Sequence, residues 1–574
     1  MNSFSNAAIR LIACSLAAGA ACAETRRPVE AAPLEQVPEQ APPTLYIREI
    51  RVLGTKELPK IDVEETVYPF LGPGRTFEDV KDAAAALTKA YQDKGYKAAQ
   101  VIIPEQDGRG GVVNLQVYEG KVGALKITGA KYFLPSRIRA QAQSLAPGSV
   151  INFNHISPEI VKLNKLADRR VEPKLTPSLE PGFFDIELQV KDTSPLHGSA
   201  ELNNRASLNT TDLRLNVSLS YANLWQRGHT IGASYQVSPQ NLDEIRVLNG
   251  FYIWREPEWE SFSLMFTGSK QHSHTISPAA LASASGEGGV LAPGFTLGVR
   301  AMFELPSAEG FFQSMSLGLD YKAFDSNNLA GGAFAIGDVR YYPISATWDG
   351  TWLHSQKEDG KSKETGSTSL NVGLTFGPRG LGSDEAAFNN SRAGSDGSFA
   401  YLRGSLEHEH KLARDWELVA RVQGQATDSP LIAYEQFSAG GMSTVRGYYE
   451  SEALGDNALL GTLELRSPSL LKTKKLVGEG DAAKEESSGN EWRFYGFMDG
   501  GSVTLQKALP EQISSYRIAS VGLGSEFHLW DHLHGVLELA LPLTSIPYTP
   551  TPGVQSTNTK AHETRVNFRL WSDF

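Results

Sequence analysis

Cysteine is nearly missing from this 574-residue chain, which has only Cys14 and Cys22. Both sit in a stretch that reads as a secretory signal, residues 1–23. Arg10 supplies its charged n-region, residues 11–19 its short apolar core, and Ala21-Cys22-Ala23 a small-residue cleavage site. Cleavage after Ala23 would remove both thiols, so the mature chain is expected to carry neither a disulfide nor a thiol site. Three apolar residues ahead of Cys14 are too few for lipid attachment there, and Gly19 spoils the corresponding box at Cys22, so no lipid anchor is expected. Beyond the signal no apolar run approaches the length of a spanning helix, so residence in a membrane would require a barrel. Positive charge is also short. With Arg10 removed, 53 basic residues face 65 acidic ones, a net charge of −12 that argues against a nucleic-acid partner. What the chain does have is 54 glycines, 9 tryptophans and 19 tyrosines beside only 6 methionines, a balance suited to a membrane-embedded β-sheet with aromatic girdles.

Residues 24–44 are rich in proline, alanine and glutamate and read as a disordered linker. Residues 45–120 then form a compact α+β pattern. A strand is expected over 46–53, and a helix starts at Thr76 with Asp79 three residues on as its reciprocal cap. Val80, Ala84, Leu87 and Tyr91 recur at helical spacing until Gly95 ends the helix, and strands follow over 98–104 and 112–118. Residues 121–193 repeat the order. A strand carries Leu125 and Ile127, a helix begins near Pro135, a second helix places Ile156, Ile160, Leu163 and Ala167 on one face, and a last strand shows Phe184, Ile186, Leu188 and Val190. Such units expose a sheet edge that an extended chain can join as an added strand, held by sequence-tolerant backbone hydrogen bonds.

From residue 194 to 574 the period is almost everywhere two. Leu213, Leu215, Val217, Leu219 and Tyr221 alternate with Arg214, Asn216, Ser218 and Ser220, as they would with one face in lipid and the other in a wet lumen. Val566, Phe568 and Leu570, ahead of the terminal Phe574, alternate with Arg565, Asn567 and Arg569 in the same way. The candidate strands number about sixteen, the even count expected of a bacterial barrel, which puts both barrel ends on one side of the membrane. Counting back from Phe574, residues 430–458 fall on the outer side, as do 270–293 and 377–398, which are expected to be mobile. The strand ending at Asp499 runs outward, and the charged stretch 467–490 lies on the inner side as a solvated insertion.

Two motifs place charge where such a barrel has its interior. Val445-Arg446-Gly447-Tyr448 lies in the outer loop, and Phe497, Asp499 and Gly501 alternate along a wall strand about fifty residues downstream. A guanidinium and a carboxylate confined together form a bidentate, charge-assisted pair, which makes a lock and not a catalytic site. In order and spacing these residues resemble the signature of the outer-membrane transporters of two-partner secretion, the TpsB or haemolysin secretion/activation family. The two α+β repeats resemble its polypeptide-transport-associated (POTRA) domains, and the C-terminal aromatic strand with Phe568, Leu570 and Phe574 resembles the signal read by the barrel assembly machinery.

The resemblance implies periplasmic POTRA domains followed by an all-β transmembrane barrel in the bacterial outer membrane, with Arg446 at the tip of a loop folded back into the lumen. Its function would be export of a large secreted client, such as an adhesin, haemolysin or contact-dependent toxin, recognised through the client's N-terminal secretion domain. The other partners it implies are outer-membrane lipid and, during biogenesis, the assembly machinery. An assembly insertase of the same superfamily is the alternative, although two POTRA domains in place of a longer array favour export. A diffusive porin would have no need of them. The plug helix that many members carry ahead of the first POTRA domain is not expected in the proline-broken 24–44 segment.

No sequence feature calls for a cofactor, a metal or an enzyme. Gly360-Lys361-Ser362 resembles the end of a phosphate loop, but Ser355 stands where its first glycine belongs. His528, His532 and His534 straddle a strand end and a tight turn with no fourth ligand nearby.

Overall fold

The computed structural model describes residues 44–574 apart from 108, 209, 257–258, 260, 274–293, 325–337, 359–360, 472–473, 478–483, 488, 511 and 548–557. The signal, nearly all of the linker and most of the 270–293 loop lie outside the described residues.

The chain divides into two units, one comprising residues up to Ala90 with Val101–Val117, the other Tyr91–Gln100 with Tyr118–Phe574. In the N-terminal unit the strand expected over 46–53 is two short ones, Leu45–Ile47 and Glu49–Leu53. The second pairs in parallel with Val112–Tyr118, whose Val113, Leu115 and Val117 are buried. Helix Phe77–Asp93 starts at the capping box. The Thr76 amide and hydroxyl both donate to Asp79, and the Asp79 amide returns a bond to the Thr76 hydroxyl. Those bonds hold the Asp79 carboxyl below its usual range, the Thr76 amide contributing most. A further helix, Lys60–Val67, was not anticipated. It buries only Val63 and Val67 among charged neighbours, too little apolar content to leave a periodic signal.

The second α+β repeat has strand Lys121–Thr128, helices Pro135–Gln141 and Phe153–Leu163, and strands Arg169–Pro177 and Phe183–Asp192 in the spatial order first, last, middle. The second helix stops four residues short of Ala167, because the Asn164 side chain turns to the backbone of Val171, accepting its N–H at 2.6 Å and donating to its carbonyl at 3.1 Å. Ile138, Ile151, Ile156, Leu163, Ile186 and Leu188 close the core between helices and sheet.

The rest is a closed antiparallel barrel of sixteen strands, from Leu196–Asn203 to Arg565–Asp573. A three-residue segment, Val339–Tyr341, prolongs the Ile344–Glu358 strand across Pro343, and both pair with Phe311–Phe324. Outward positions are apolar and exposed, among them Val217, Leu219, Leu248, Leu374, Leu523 and Val566, as alternation required. Closure comes from five register pairs, Asn203 with Arg569 through Ser199 with Asp573. The terminal residue extends them, since Phe574 and Gly198 exchange backbone bonds at 3.0 and 3.2 Å. Its ring lies against Gly198, where a Cβ would come within 2.5 Å of Phe574 Cζ.

Phe568 faces outward with Leu570, paired across the strands with the exposed Leu537. Phe568→Asp is therefore expected to reduce the heat-modifiable folded barrel in outer-membrane fractions, at a cost below the roughly 2–4 kcal/mol of a basic side chain at mid-bilayer. A wild-type folded fraction would show that the inward and outward faces of this strand are assigned the wrong way round.

Two sequence expectations change here. Residues 377–398 are ordered, with helix Glu385–Ser391 capped by Asp384 and Phe388 buried among Tyr341, Phe399 and Tyr434. Asp499 does not end its strand, which runs over Glu491–Thr504 and so carries the carboxylate mid-wall. Within the charged stretch 467–490, Lys474–Val477 and Lys484–Ser487 pair as an antiparallel hairpin.

Candidate functional site: a loop locked inside the barrel

Between the strands Glu417–Thr427 and Asn457–Arg466 the chain turns back into the lumen and forms a small hairpin, Phe437–Ala439 with Ala453–Gly455. Val445, Tyr448, Phe437 and Ala453 are buried against the wall residues Leu460, Val503 and Ile518, so an apolar core seats the loop before any charge is matched. Gly447 holds a φ of +91°, the left-handed region that favours glycine, and a Cβ there would sit 3.3 Å from Pro542. That turn delivers Arg446 and Tyr448 to different parts of the wall.

Arg446 and Asp499 meet. Nε donates to one carboxylate oxygen at 2.7 Å and Nη2 to the other at 2.8 Å, while the Arg446 backbone N–H adds a third bond at 3.0 Å. The Asp499 side chain is wholly buried. Phe497, two residues earlier on the same face, stacks its ring 3.5 Å from the guanidinium carbon. Gly501 continues that face and pairs with Leu460 on the neighbouring strand. The Tyr448 hydroxyl reaches the Thr544 and Ala519 carbonyls at 2.7 and 2.9 Å and accepts the Ala519 N–H at 3.3 Å.

The cluster is larger than the two motifs. Nη1 of Arg446 also donates to Glu464 at 2.8 Å and to Glu538 at 3.2 Å. Glu464 takes a second guanidinium, Arg466, at 2.7 Å, and Glu538 accepts the Tyr495 hydroxyl at 2.8 Å. Three buried carboxylates therefore share two arginines. Both extra acids sit at polar positions of alternating runs, Leu463-Glu464-Leu465 and Leu537-Glu538-Leu539, a signal that reading along the sequence had passed over.

Two more anchors also escaped sequence reading. Glu435, at the loop's outer end, is buried and accepts Lys322 at 2.7 Å and the Tyr341 and Tyr401 hydroxyls at 2.6 and 2.8 Å. Glu450 accepts Arg205 Nε at 2.8 Å and donates its own N–H to the Ala206 carbonyl at 3.0 Å, tying the loop to the segment that follows the first barrel strand. These acids belong to a loop with no periodicity to flag them.

Elsewhere Lys361 begins a strand in a hairpin and has no helix behind it, unlike a phosphate loop. His528 and His534 stack 4.3 Å apart beside Trp571, and among the described residues no group of histidines, cysteines or acids is placed to hold a metal.

A sixteen-stranded barrel, a preceding α+β repeat and a loop held in the lumen by an arginine–aspartate pair define a POTRA–barrel protein of the bacterial outer membrane, the POTRA domains lying in the periplasm. Residues 45–120 match the family described as POTRA domain, ShlB-type, and residues 357–527 match haemolysin secretion/activation protein ShlB/FhaC/HecB. Over those residues the chain matches that haemolysin secretion/activation family. It is 26% identical over 181 residues to outer membrane transporter CdiB of Escherichia coli O6:K15:H31, covering 32% of this chain and 30% of the relative. To the protein of the same name in Dickeya dadantii it is 24% identical over 183 residues, 32% of each chain. The alignments thus span under a third of these relatives. Among solved structures, CdiB from Escherichia coli superposes with a TM-score of 0.57 at 19% identity over 94% of this chain and 92% of that one. BamA from Haemophilus ducreyi lacking POTRA domains 1–3 gives 0.50 at 14% over 92% and 100%. Both likenesses concern the fold.

Proposed function

We propose that this chain is the outer-membrane translocation pore of a two-partner secretion system. It exports a large secreted protein that its POTRA domains capture unfolded in the periplasm. The observation that carries this reading is the lumen occupied by a loop that is held by reversible polar bonds, inside a barrel that matches the haemolysin secretion/activation family. A loop held by ion pairs can exchange its carboxylate partners for water as a client threads past. The chain acts as a conduit and not as an enzyme, and folding of the client outside the cell supplies direction.

Capture by strand addition would use sheet edges with free backbone donors. In the second repeat one edge strand, Arg169–Pro177, contains Pro173 and Pro177, each lacking a backbone donor, which blunts that edge, while the other edge, Lys121–Thr128, has no proline. In the first, Gln100–Ile102 forms an edge without proline.

The test is genetic. Deleting the chain's gene should leave its large secreted partner protein in the periplasm, with uptake of small solutes unchanged. Undiminished release of that protein without the chain would overturn the reading, and a general loss of other barrels would favour an insertase.

A further inference from the structure

We propose that the outer face of the barrel carries a binding site for a zwitterionic phospholipid headgroup, at the level where the second α+β repeat meets the periplasmic rim. A cleft of about 640 Å³ opens there, lined by Arg137 of the Pro135–Gln141 helix and by Trp225, Arg227, His229, Tyr252 and Glu256 of the barrel. It lies outside the lumen. His229 shares its strand face with the exposed Ile231 and Tyr235, and Tyr252, paired with Ile231, shares its face with the exposed Leu248. An occupant would come from the bilayer, not from a chain threading the pore.

Three observations point to a ligand. The first is His229 itself, only 3% exposed, which lines the cleft with Nδ1 bonded to the Tyr252 hydroxyl and Nε2 without a hydrogen-bond partner among the described residues. The second is the turn below it, where Trp225 and Gln226 hold φ values of +55° and +58°, uncommon for side chains of their size. Gln226 uses that conformation to clasp the repeat, accepting the Leu134 N–H and donating to the Tyr132 carbonyl, both at 3.0 Å, while Trp225 walls the cleft. The third is the charge pattern. Arg137 is exposed and makes no ion pair among the described residues, and Arg227 is only loosely engaged, 3.9 Å from Glu256.

Two guanidiniums facing one opening match a phosphate diester. Glu256, which also accepts the Trp254 indole N–H at 2.8 Å, offers a carboxylate beside aromatic faces, the environment that a primary ammonium takes. Phosphate and ammonium together make a phosphoethanolamine headgroup, and tryptophan and tyrosine rings are at home at its depth. A bound headgroup would bridge the helix carrying Arg137 to the barrel wall and fix the repeat against the membrane.

Native mass spectrometry of the full chain in detergent, titrated with phosphatidylethanolamine or phosphatidylglycerol, tests this. One tightly held phosphatidylethanolamine is expected. The double variant Arg137→Gln, Arg227→Gln should weaken it at least about tenfold, since each lost charge-assisted bond to phosphate costs at least that much. Glu256→Gln should bring the two lipids to equal affinity while the phosphate contact persists. Heat-modifiable migration checks that each variant folds. Wild-type lipid retention in a folded double variant overturns the proposal, and so does competition by inorganic phosphate at the lipid's own concentration, which would mark a free-anion site. Loss of secreted-client binding with lipid retention unchanged would reassign the cleft to the client and overturn it as well.

Discussion

Arg446→Ala is expected to insert into the outer membrane at wild-type levels and to lose most export. The strands and their outward apolar rows do not depend on Arg446, so assembly has no reason to fail. The loop does depend on it. Removing the guanidinium leaves Asp499, Glu464 and Glu538 buried together with only Arg466 among the charges bonded to them. Breaking one side of a buried pair costs about 3–5 kcal/mol, enough to shift a loop between two positions by more than a hundredfold. Arg446→Lys should fall close to alanine, because an ammonium can neither grip both Asp499 oxygens nor stack flat on Phe497. Secreted client per unit of folded barrel is the measurement. Export at the wild-type rate from Arg446→Ala would refute the lock. Near-normal export from the lysine variant alone would show that charge, and not geometry, holds the loop.

The barrel was legible because lipid and lumen impose a strict period of two, and the strands repeat it four or more times. Arg214–Leu224 and Arg565–Asp573 needed no tertiary information to be placed, and with sixteen such segments the parity argument put Arg446 and Asp499 at one lumen. The motifs supplied the pair. What remained hidden is what the infolded loop does along its length. Glu435 bonds to Lys322, Tyr341 and Tyr401, which lie 113, 94 and 34 residues away, and no local pattern ties an acid in an aperiodic loop to partners so distant. The order of residues 377–398 was hidden for the same reason, since their glycines and serines suggested mobility while one buried ring, Phe388, anchors them. Element ends were misjudged where a side chain replaced a backbone partner, as Asn164 does.

Gly522→Val is expected to be the most damaging single change outside the loop. Gly522 lies directly across from Phe497 on the adjacent strand, and the Phe497 ring lies against it. A Cβ at 522 would come within 2.3 Å of Phe497 Cζ and equally close to the Leu539 carbonyl oxygen. The ring can swing aside, but it is the surface on which the Arg446 guanidinium rests. The carbonyl belongs to the next strand and cannot yield without parting the pair. Gly524 provides the same clearance for Tyr495, where the built Cβ falls 2.1 Å from Cζ, so two glycines two residues apart open the slot for the aromatic residues beneath the arginine. Valine at 522 should therefore lower both the heat-modifiable fraction and the export per folded barrel. Adding Phe497→Ala gives the valine room on the ring side only. That double variant should regain part of the folded fraction, while export stays low because Arg446 has lost its stacking partner. Wild-type folding and export from Gly522→Val alone would show that the wall beneath the lock has slack, and that the packing of Phe497 against glycine does not hold Arg446 in place.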